Sequence, residues 1–346
     1  MTNVQNPKST VSQSDSPVSL FELLSQEKTT IDTLVEPLLP SCGLAALIGS
    51  SDSGKSCLLR QLSASVVSGK DFLAWKTNPK RRKVLYVSTE DDREAVSFLV
   101  QKQNKTWQLE NEQCKNIHFL FHNENILYQI HKNVSNDNYD LVVIDSLADV
   151  ICGDINRADI VREQLRFFNL LAHQHNCLIL FLHHTKKSSD KEQPSKHNAI
   201  GSQSIEAKMR LVIELRRNAN NPDLIHLCIV KGNYLPTNYK QASYDLKMDE
   251  NLCFVYTEQR TPIEFLAPIE NLQIPRRLAV PQARPVITDE HVRRILSFAK
   301  EGVSKHEIAQ KVNLSVSTIY KILKTIRTNL PEVSVLFFSF YQILPL

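Results

Sequence analysis

The sequence predicts an α/β fold: a mostly parallel central sheet flanked by helices, followed by a small all-α domain. Three observations predict it. Apolar runs of strand length alternate with segments of helical periodicity from Leu44 to Val230. The first run turns through a glycine-bounded loop directly into a helix. Beyond a proline-dense stretch the periodicity becomes wholly helical, and the charge becomes basic. These shifts set the boundaries: a polar, disordered N-terminus over 1–17, the α/β domain over 18–260, a linker over 261–287, a helical domain over 288–328 and an apolar tail over 329–346.

Ser/Asn/Gln-rich composition argues against structure up to about residue 17, and Ser19 to Ser25 reads as a short amphipathic helix. Leu44 to Ile48 is a buried strand, Gly49 to Gly54 a turn, and Cys57 onward a helix. Val84–Ser88 is a strand preceded by the basic run Lys80-Arg-Arg-Lys83, which reads as a solvated approach or, alternatively, a nucleic-acid contact. Arg93–Gln103 is helical, Ile117–Phe121 a short strand and Glu124–Val134 a helix. The β-branched run Tyr139–Ser146 is a strand buried on both faces. Ile160, Val161, Leu165, Phe168, Leu171 and Ala172 recur at helical spacing up to His175. Cys177–Leu182 is a strand, then a polar loop runs from Ser188 to His197. Arg210–Leu215 and Ile225–Val230 are strands, and Ala242–Lys247 with Leu252–Tyr256 form a hairpin.

Five of the 15 prolines fall at 262, 268, 275, 281 and 285, the density of an extended linker. Three helices come next, Glu290–Lys300, Ser304–Val312 and Ser315–Arg327, with Asn313-Leu314 as a turn. Thr288 with Asp289/Glu290, and Ser304 with Glu307, read as helix caps. The tail from Val333 to Leu346 is apolar but too short for a bilayer. It suits an added strand, a cover for a core edge, or the product of a shifted reading frame.

Composition narrows the class. A chain of 346 residues with 42% hydrophobic and 23% charged residues is an ordinary globular protein, and a net charge of +4 does not by itself argue for nucleic acid. The seven cysteines (42, 57, 114, 152, 177, 228, 253) form no C-x-x-C pair, a pattern of reduced thiols in a cytoplasm. No secretory h-region opens the chain, and no run approaches the roughly 18 apolar residues of a membrane span.

The chemistry starts at Gly49-Ser50-Ser51-Asp52-Ser53-Gly54-Lys55-Ser56, with Cys57 opening the helix. Strand, glycine-bounded loop, Lys-Ser and helix make a phosphate-binding P-loop, whose inward N–H groups hold phosphate oxygens. Lys55 would reach the β/γ-phosphates and Ser56 would hold Mg²⁺. The run ending in Asp145 is the Walker B pattern, placing a second carboxylate in the metal shell. Glu90 ends a strand expected to lie next to the P-loop strand, where it could polarise water against the γ-phosphate, with Asp91 as the alternative. His183 and His184 end the strand after Walker B. They read as a γ-phosphate sensor; a zinc half-site lacks further ligands at suitable spacing. Lys186, Lys187, Lys191 and Lys196 mark either a solvated loop or a DNA-contacting one.

Gly49 to Ser56, Tyr86-Val-Ser-Thr-Glu90-Asp, Val142-Val-Ile-Asp145-Ser, Leu182-His-His-Thr-Lys186 and Gly201-Ser, in this order, resemble the RecA-like ATPases. More narrowly they resemble the RepA-type hexameric replicative helicases of plasmids and mobile elements, the AAA_25 group, over residues 30–257. The resemblance implies a RecA-like P-loop core assembled as a homo-oligomeric ring with ATP sites between subunits. It also implies Lys55 and Ser56 on phosphate and Mg²⁺, Glu90 as catalytic base, Asp145 as Walker B acid and His184 as sensor. Lys231 matches the position of a basic finger inserted into the neighbouring subunit's site. Relatives carry a second basic residue nearby, where this chain has Tyr234; Arg216 or Arg217 could substitute.

The block 288–328 resembles the helix-turn-helix of resolvase/invertase DNA-binding domains through Gly302 to Leu323, with Ala309 as the small residue at the helix crossing. Ser315, Ser317, Thr318, Tyr320, Lys321 and Lys324 would line a recognition helix in the major groove. The block holds eight Lys/Arg against four acids, a net +4 equal to that of the whole chain, which suits phosphate contact. A protein-interaction module is the alternative. Together these readings describe a cytoplasmic, DNA-associated ATPase without a membrane partner. It is either a ring motor or helicase replicating a mobile element, or an ATP-switched DNA-binding regulator. A small-molecule kinase is disfavoured, because nothing reads as an acceptor pocket.

Overall fold

The computed structural model describes residues 17–26, 30–121, 124–186, 188–189, 192–201, 203–218, 221–267 and 288–328. Residues 1–16 of the expected disordered N-terminus, most of the expected linker, the apolar tail, Lys187, Lys191 and Ser202 lie outside those residues. The chain divides into two compact units, Met1–Leu272 and Gln273–Leu346.

In chain order the first unit contains α1 (Leu20–Leu24), β1 (Thr33–Glu36), β2 (Leu39–Pro40), β3 (Gly43–Gly49), α2 (Lys55–Ser68), β4 (Lys76–Thr77), β5 (Val84–Ser88), α3 (Arg93–Trp107), α4 (Asn111–Cys114), β6 (Ile117–Phe121), α5 (Ile126–Asn136) and β7 (Leu141–Asp145). It continues with α6 (Leu147–Val150), α7 (Ala158–Gln174), β8 (Leu178–His184), α8 (Ser204–Lys208), β9 (Leu211–Arg217), β10 (Leu224–Gly232), β11 (Tyr244–Met248) and β12 (Phe254–Tyr256). Nine strands form one sheet in the order β12-β11-β10-β9-β3-β8-β7-β5-β6. From β9 to β6 all pairings are parallel, and β10 to β12 close one side as an antiparallel meander. This is the RecA-like α/β core the sequence predicts.

The parallel strands are continuous apolar runs because helices cover both faces. Successive side chains alternate between faces. Ala45 and Leu47 of β3 pack with Leu58, Leu59, Leu62 and Val66 of α2. Leu44, Ala46 and Ile48 pack on the other face with Val161, Leu165 and Phe168 of α7. The α7 stripe is the one its periodicity predicts. A small sheet, β2-β1-β4, has no counterpart in the sequence reading. Two of its strands are two residues long, too short to show alternation.

The first unit runs past the boundary at 260 that the prolines suggest. Thr261 donates its hydroxyl to Asp245 Oδ2, Ile263 N bonds to Gln241 O, and Leu266 O accepts from Arg216. A proline-rich composition is compatible with extended chain laid against a surface, and here part of it is so laid.

The second unit holds α9 (Asp289–Lys300), α10 (Lys305–Lys311) and α11 (Val316–Thr328). Ile295, Ile308, Ala309, Val312, Leu314 and Ile319 form its core, with Ala309 small enough to let the helices close. Ser304 and Glu307 make the expected capping box, whereas the box at Thr288 is closed by His291. Only the third helical position can reach back to the cap, and Asp289 and Glu290 fall short of it.

Candidate functional site

The site assembles at the carboxyl ends of β3, β8, β7 and β5, where an open parallel sheet presents its loops. Gly49 ends β3 where only glycine fits, since a Cβ there would stand 2.4 Å from Leu215 O. Asp52 (φ 60°) and Gly54 (φ 89°) take left-handed backbone, which turns the loop back onto α2. A Cβ on Gly54 would also strike Phe254 and Met248. The loop is therefore walled on one side by β9 and on the other by the last hairpin.

Lys55, 5% exposed, donates its Nζ to Ser50 O at 2.7 Å, and Ser53 Oγ donates to the same carbonyl at 2.9 Å. Burial pushes the Lys55 pKa down, against the pull of Asp145, Glu90 and Asp52. Those three acids therefore surround one ammonium. Asp145 is 5% exposed, and burial raises its pKa while the hydrogen bond from Tyr86 and the proximity of the Ser56 hydroxyl hold it down. Tyr86 Oη donates to Asp145 Oδ2 at 2.7 Å, whereas Oδ1 is buried with no hydrogen-bond partner among the described residues. A buried, unpartnered carboxylate oxygen beside a serine hydroxyl and α2's N-terminus fits the outer shell of a Mg²⁺ ion. Such an ion would supply charge neutralisation to a bound triphosphate. Ser56 and Asp145 are the residues that would hold it.

Glu90 requires a correction. β5 is not next to β3, because β8 and β7 stand between them. Chain order differs from sheet order here: the crossover through α2 leaves room for two strands that the chain makes later. Glu90 nevertheless faces the site, with Oε1 3.4 Å from His184 Nε2. His184 stands in register with Gly49 across β8 and β3. Asp91 lies 3.7 Å from the Arg60 guanidinium instead. The two histidines divide. His183 is buried, bonds Ile200 O through Nε2, and has its pKa lowered by burial, so it is a neutral packed residue. His184 is the one aimed into the site. Among the described residues no three His, Cys, Asp or Glu gather as a metal cluster.

The basic candidates for the neighbour's site differ in freedom. Arg216 cannot substitute for Lys231: it is buried in an ion pair with Glu214 and donates to Glu192 O, Ser189 O and Leu266 O. It clamps the loop after β8, whose Ser195 N and Asn198 amide bond the same Glu214. An Arg216→Ala chain is expected to lose about 3–5 kcal/mol by leaving that carboxylate buried and unpaired, measurable by denaturant unfolding. Arg217 braces its own P-loop, donating Nε and Nη2 to Asp52 O at 2.9 and 2.6 Å. Lys231 pairs in register with Val212, which itself pairs with Ala46 in the middle of β3, and β9 stands between Lys231 and the P-loop strand. Its Nζ rests on Glu206 O at 2.6 Å.

Other basic groups are spent on structure. Arg81 pairs with Asp32 and Asp140, Arg82 donates to Pro79 O and Val67 O, and Lys83 pairs with Asp137. Three of the four bases of the run at 80–83 are therefore engaged within the fold. Lys196 lies 3.5 Å from Glu206. In the second unit Ser315, Ser317 and Thr318 bond one another at the start of α11, Tyr320 is 52% exposed under Lys305, and Lys321 is exposed.

Sequence reasoning missed Tyr86, Arg60 and Gln103. Arg60 donates Nε to Gln103 Oε1, and the Gln103 amide donates to Cys57 O and Leu252 O, joining α2, α3 and the last hairpin. A polar residue inside an apolar run or on a helix face is the available signal, but it does not name the partner.

No curated protein matches the chain. The solved structure of the ATPase domain of G40P is similar, with a TM-score of 0.48 and 14% identity over 69% of this chain and 96% of that one. The model of the AAA-domain family AAA_25 matches residues 10–190, spanning the P-loop, the Glu90 strand, the Walker B strand and the histidine pair. No helix among the described residues is long and apolar enough to cross a membrane. With more than half of its length matched, the chain belongs to the AAA-domain family of P-loop ATPases.

Proposed function

We propose that this protein is a DNA-associated ATPase that hydrolyses ATP to ADP and phosphate, working as a ring ATPase or helicase in the replication of a plasmid or mobile element. The observation that carries the ATPase reading is the convergence of Lys55, Asp145, Glu90 and His184 at one end of the sheet. Residues 49–57 cradle the phosphates, from Gly49, Ser50, Ser51, Asp52, Ser53 and Gly54 through Lys55 and Ser56 to Cys57. Lys55 leaves the Ser50 carbonyl for the β/γ-phosphates, with oriented loop N–H groups around them. Glu90 accepts a proton from the attacking water, and His184 relays the state of the γ-phosphate to it.

Lys231 lies on β10, two strands from the P-loop strand, with its Nζ on Glu206 O, and is read as serving a neighbouring subunit's ATP. That supports a homo-oligomeric ring, read here as a hexamer. The block 288–328 of the second unit, with its three helices and net +4, supports duplex DNA contact through α11. Its presence also favours a second reading, an ATP-switched regulator that recognises a site and never translocates.

An unwinding assay on forked duplex DNA with ATP, beside Lys55→Ala, separates the two. Strand release by the parent chain alone supports the motor; turnover without release supports the switch. For the DNA contact, Lys321→Ala is expected to weaken binding uniformly across sequences and lower the salt slope by about 1. A fluorescence titration at several salt concentrations checks this.

A further inference from the structure

The Tyr86 phenol is fully buried between two residues of the site, Asp145 on β7 and Ser56 on α2. Its Oη lies 2.7 Å from Asp145 Oδ2 and 3.5 Å from Ser56 O. A phenol has one proton to donate, and the shorter contact takes it. The ring cannot swing away: it packs on Phe119 with centroids 5.3 Å apart, inside the core shared with Val84 and Val143. β5 and β7 pair in parallel, with Tyr86 opposite Val143 and Ser88 opposite Asp145. The ring therefore lies along the sheet toward the carboxylate on the α2 face. The result is asymmetric. Oδ2 is pinned, while Oδ1 is buried and unpartnered among the described residues.

We propose that Tyr86 is a positioning residue for Mg²⁺: by occupying Oδ2 it fixes the Asp145 carboxylate with Oδ1 presented to the metal shell. The proposal rests on the reading of Asp145 as the metal-shell acid. Outer-shell hydrogen bonds of this kind orient the groups that hold a metal, and their loss typically lowers metal affinity about 10- to 100-fold. Nucleotide binding without metal depends on the P-loop, which Tyr86 orders only through the distant Ser56 carbonyl contact, so the two affinities separate.

The test uses a fluorescent ATP analogue, N-methylanthraniloyl-ATP, titrated with MgCl₂ and in EDTA, with Mn²⁺ bound to the complex monitored by electron paramagnetic resonance. For Tyr86→Phe the EDTA affinity is expected to stay within about twofold, while half-saturating Mg²⁺ and Mn²⁺ rise at least about tenfold. An unchanged metal requirement in a folded Tyr86→Phe chain overturns the proposal. Asp145→Asn separates the two ideas. If it removes the metal dependence and Tyr86→Phe does not move it, only the Tyr86 role fails; if Asp145→Asn leaves it intact, the metal-shell reading fails. Should Tyr86→Phe not fold, 3-fluorotyrosine at position 86 keeps the ring and alters the donor. A shifted metal requirement supports the role, and an identical one overturns it.

Discussion

Lys55→Ala is expected to lose ATP turnover by at least about 10²- to 10³-fold, the cost of deleting one preorganised group that stabilises transition-state charge. Three features place the effect at the top of the range. The ammonium is buried, so its field is little screened by water. It faces Asp145, Glu90 and Asp52 at once, so deleting it leaves three acids against an incoming tetra-anion. The other described bases nearby are engaged elsewhere: Arg217 is held on Asp52 O, Arg216 is locked to Glu214, Arg60 donates to Gln103, and Lys231 rests on Glu206 O. Phosphate release, measured beside nucleotide affinity, checks this. Turnover within tenfold of the parent would sink the assignment of residues 49–56.

Glu90→Gln is expected to split binding from chemistry. The amide keeps the shape and the approach to His184 but is a poor proton acceptor, so turnover falls by about 10²- to 10⁴-fold. Affinity for ATP stays within a few-fold, because the Glu90 side chain is half exposed and is no part of the phosphate cradle. Asp91→Asn is the companion. Its carboxylate is paired with the Arg60 guanidinium, while Glu90 is the one beside His184, so its loss leaves turnover within a few-fold. If the two variants exchanged phenotypes, the base would be Asp91.

Much of this is legible in the chain, and the remainder is hidden for physical reasons. The P-loop can be read because its glycines stand at fixed positions where a side chain does not fit, Gly49 by close approach and Gly54 by left-handed backbone. The Walker B strand can be read because a strand buried on both faces must be apolar throughout. The three C-terminal helices show in their spacing and in the Ser304–Glu307 box. Sheet order does not show, because a sequence records succession along the backbone and is silent on lateral neighbours. The sequence reading therefore sets the Glu90 strand directly beside β3, two positions too close. Arg216 and Arg217, adjacent and alike in sequence, point to opposite faces of β9. One ends in a buried ion pair and the other on the P-loop. Tyr86 looks like one more aromatic core residue, since nothing in an apolar run says that its hydroxyl finds a carboxylate.

Gln61 on α2 donates to Phe254 O and accepts from Phe254 N, and Gln103 reaches Leu252 O. These bonds fasten the last hairpin to the helix after the phosphate loop. Anyone trimming this protein to a minimal nucleotide-binding fragment should therefore not stop at residue 190, where the family signature stops. Such a fragment would lack the Leu215 carbonyl that crowds Gly49 and the Phe254 ring that crowds Gly54, and its loop would stand without side walls. A fragment kept to residue 267 would retain both walls and the Leu266 carbonyl that Arg216 bonds.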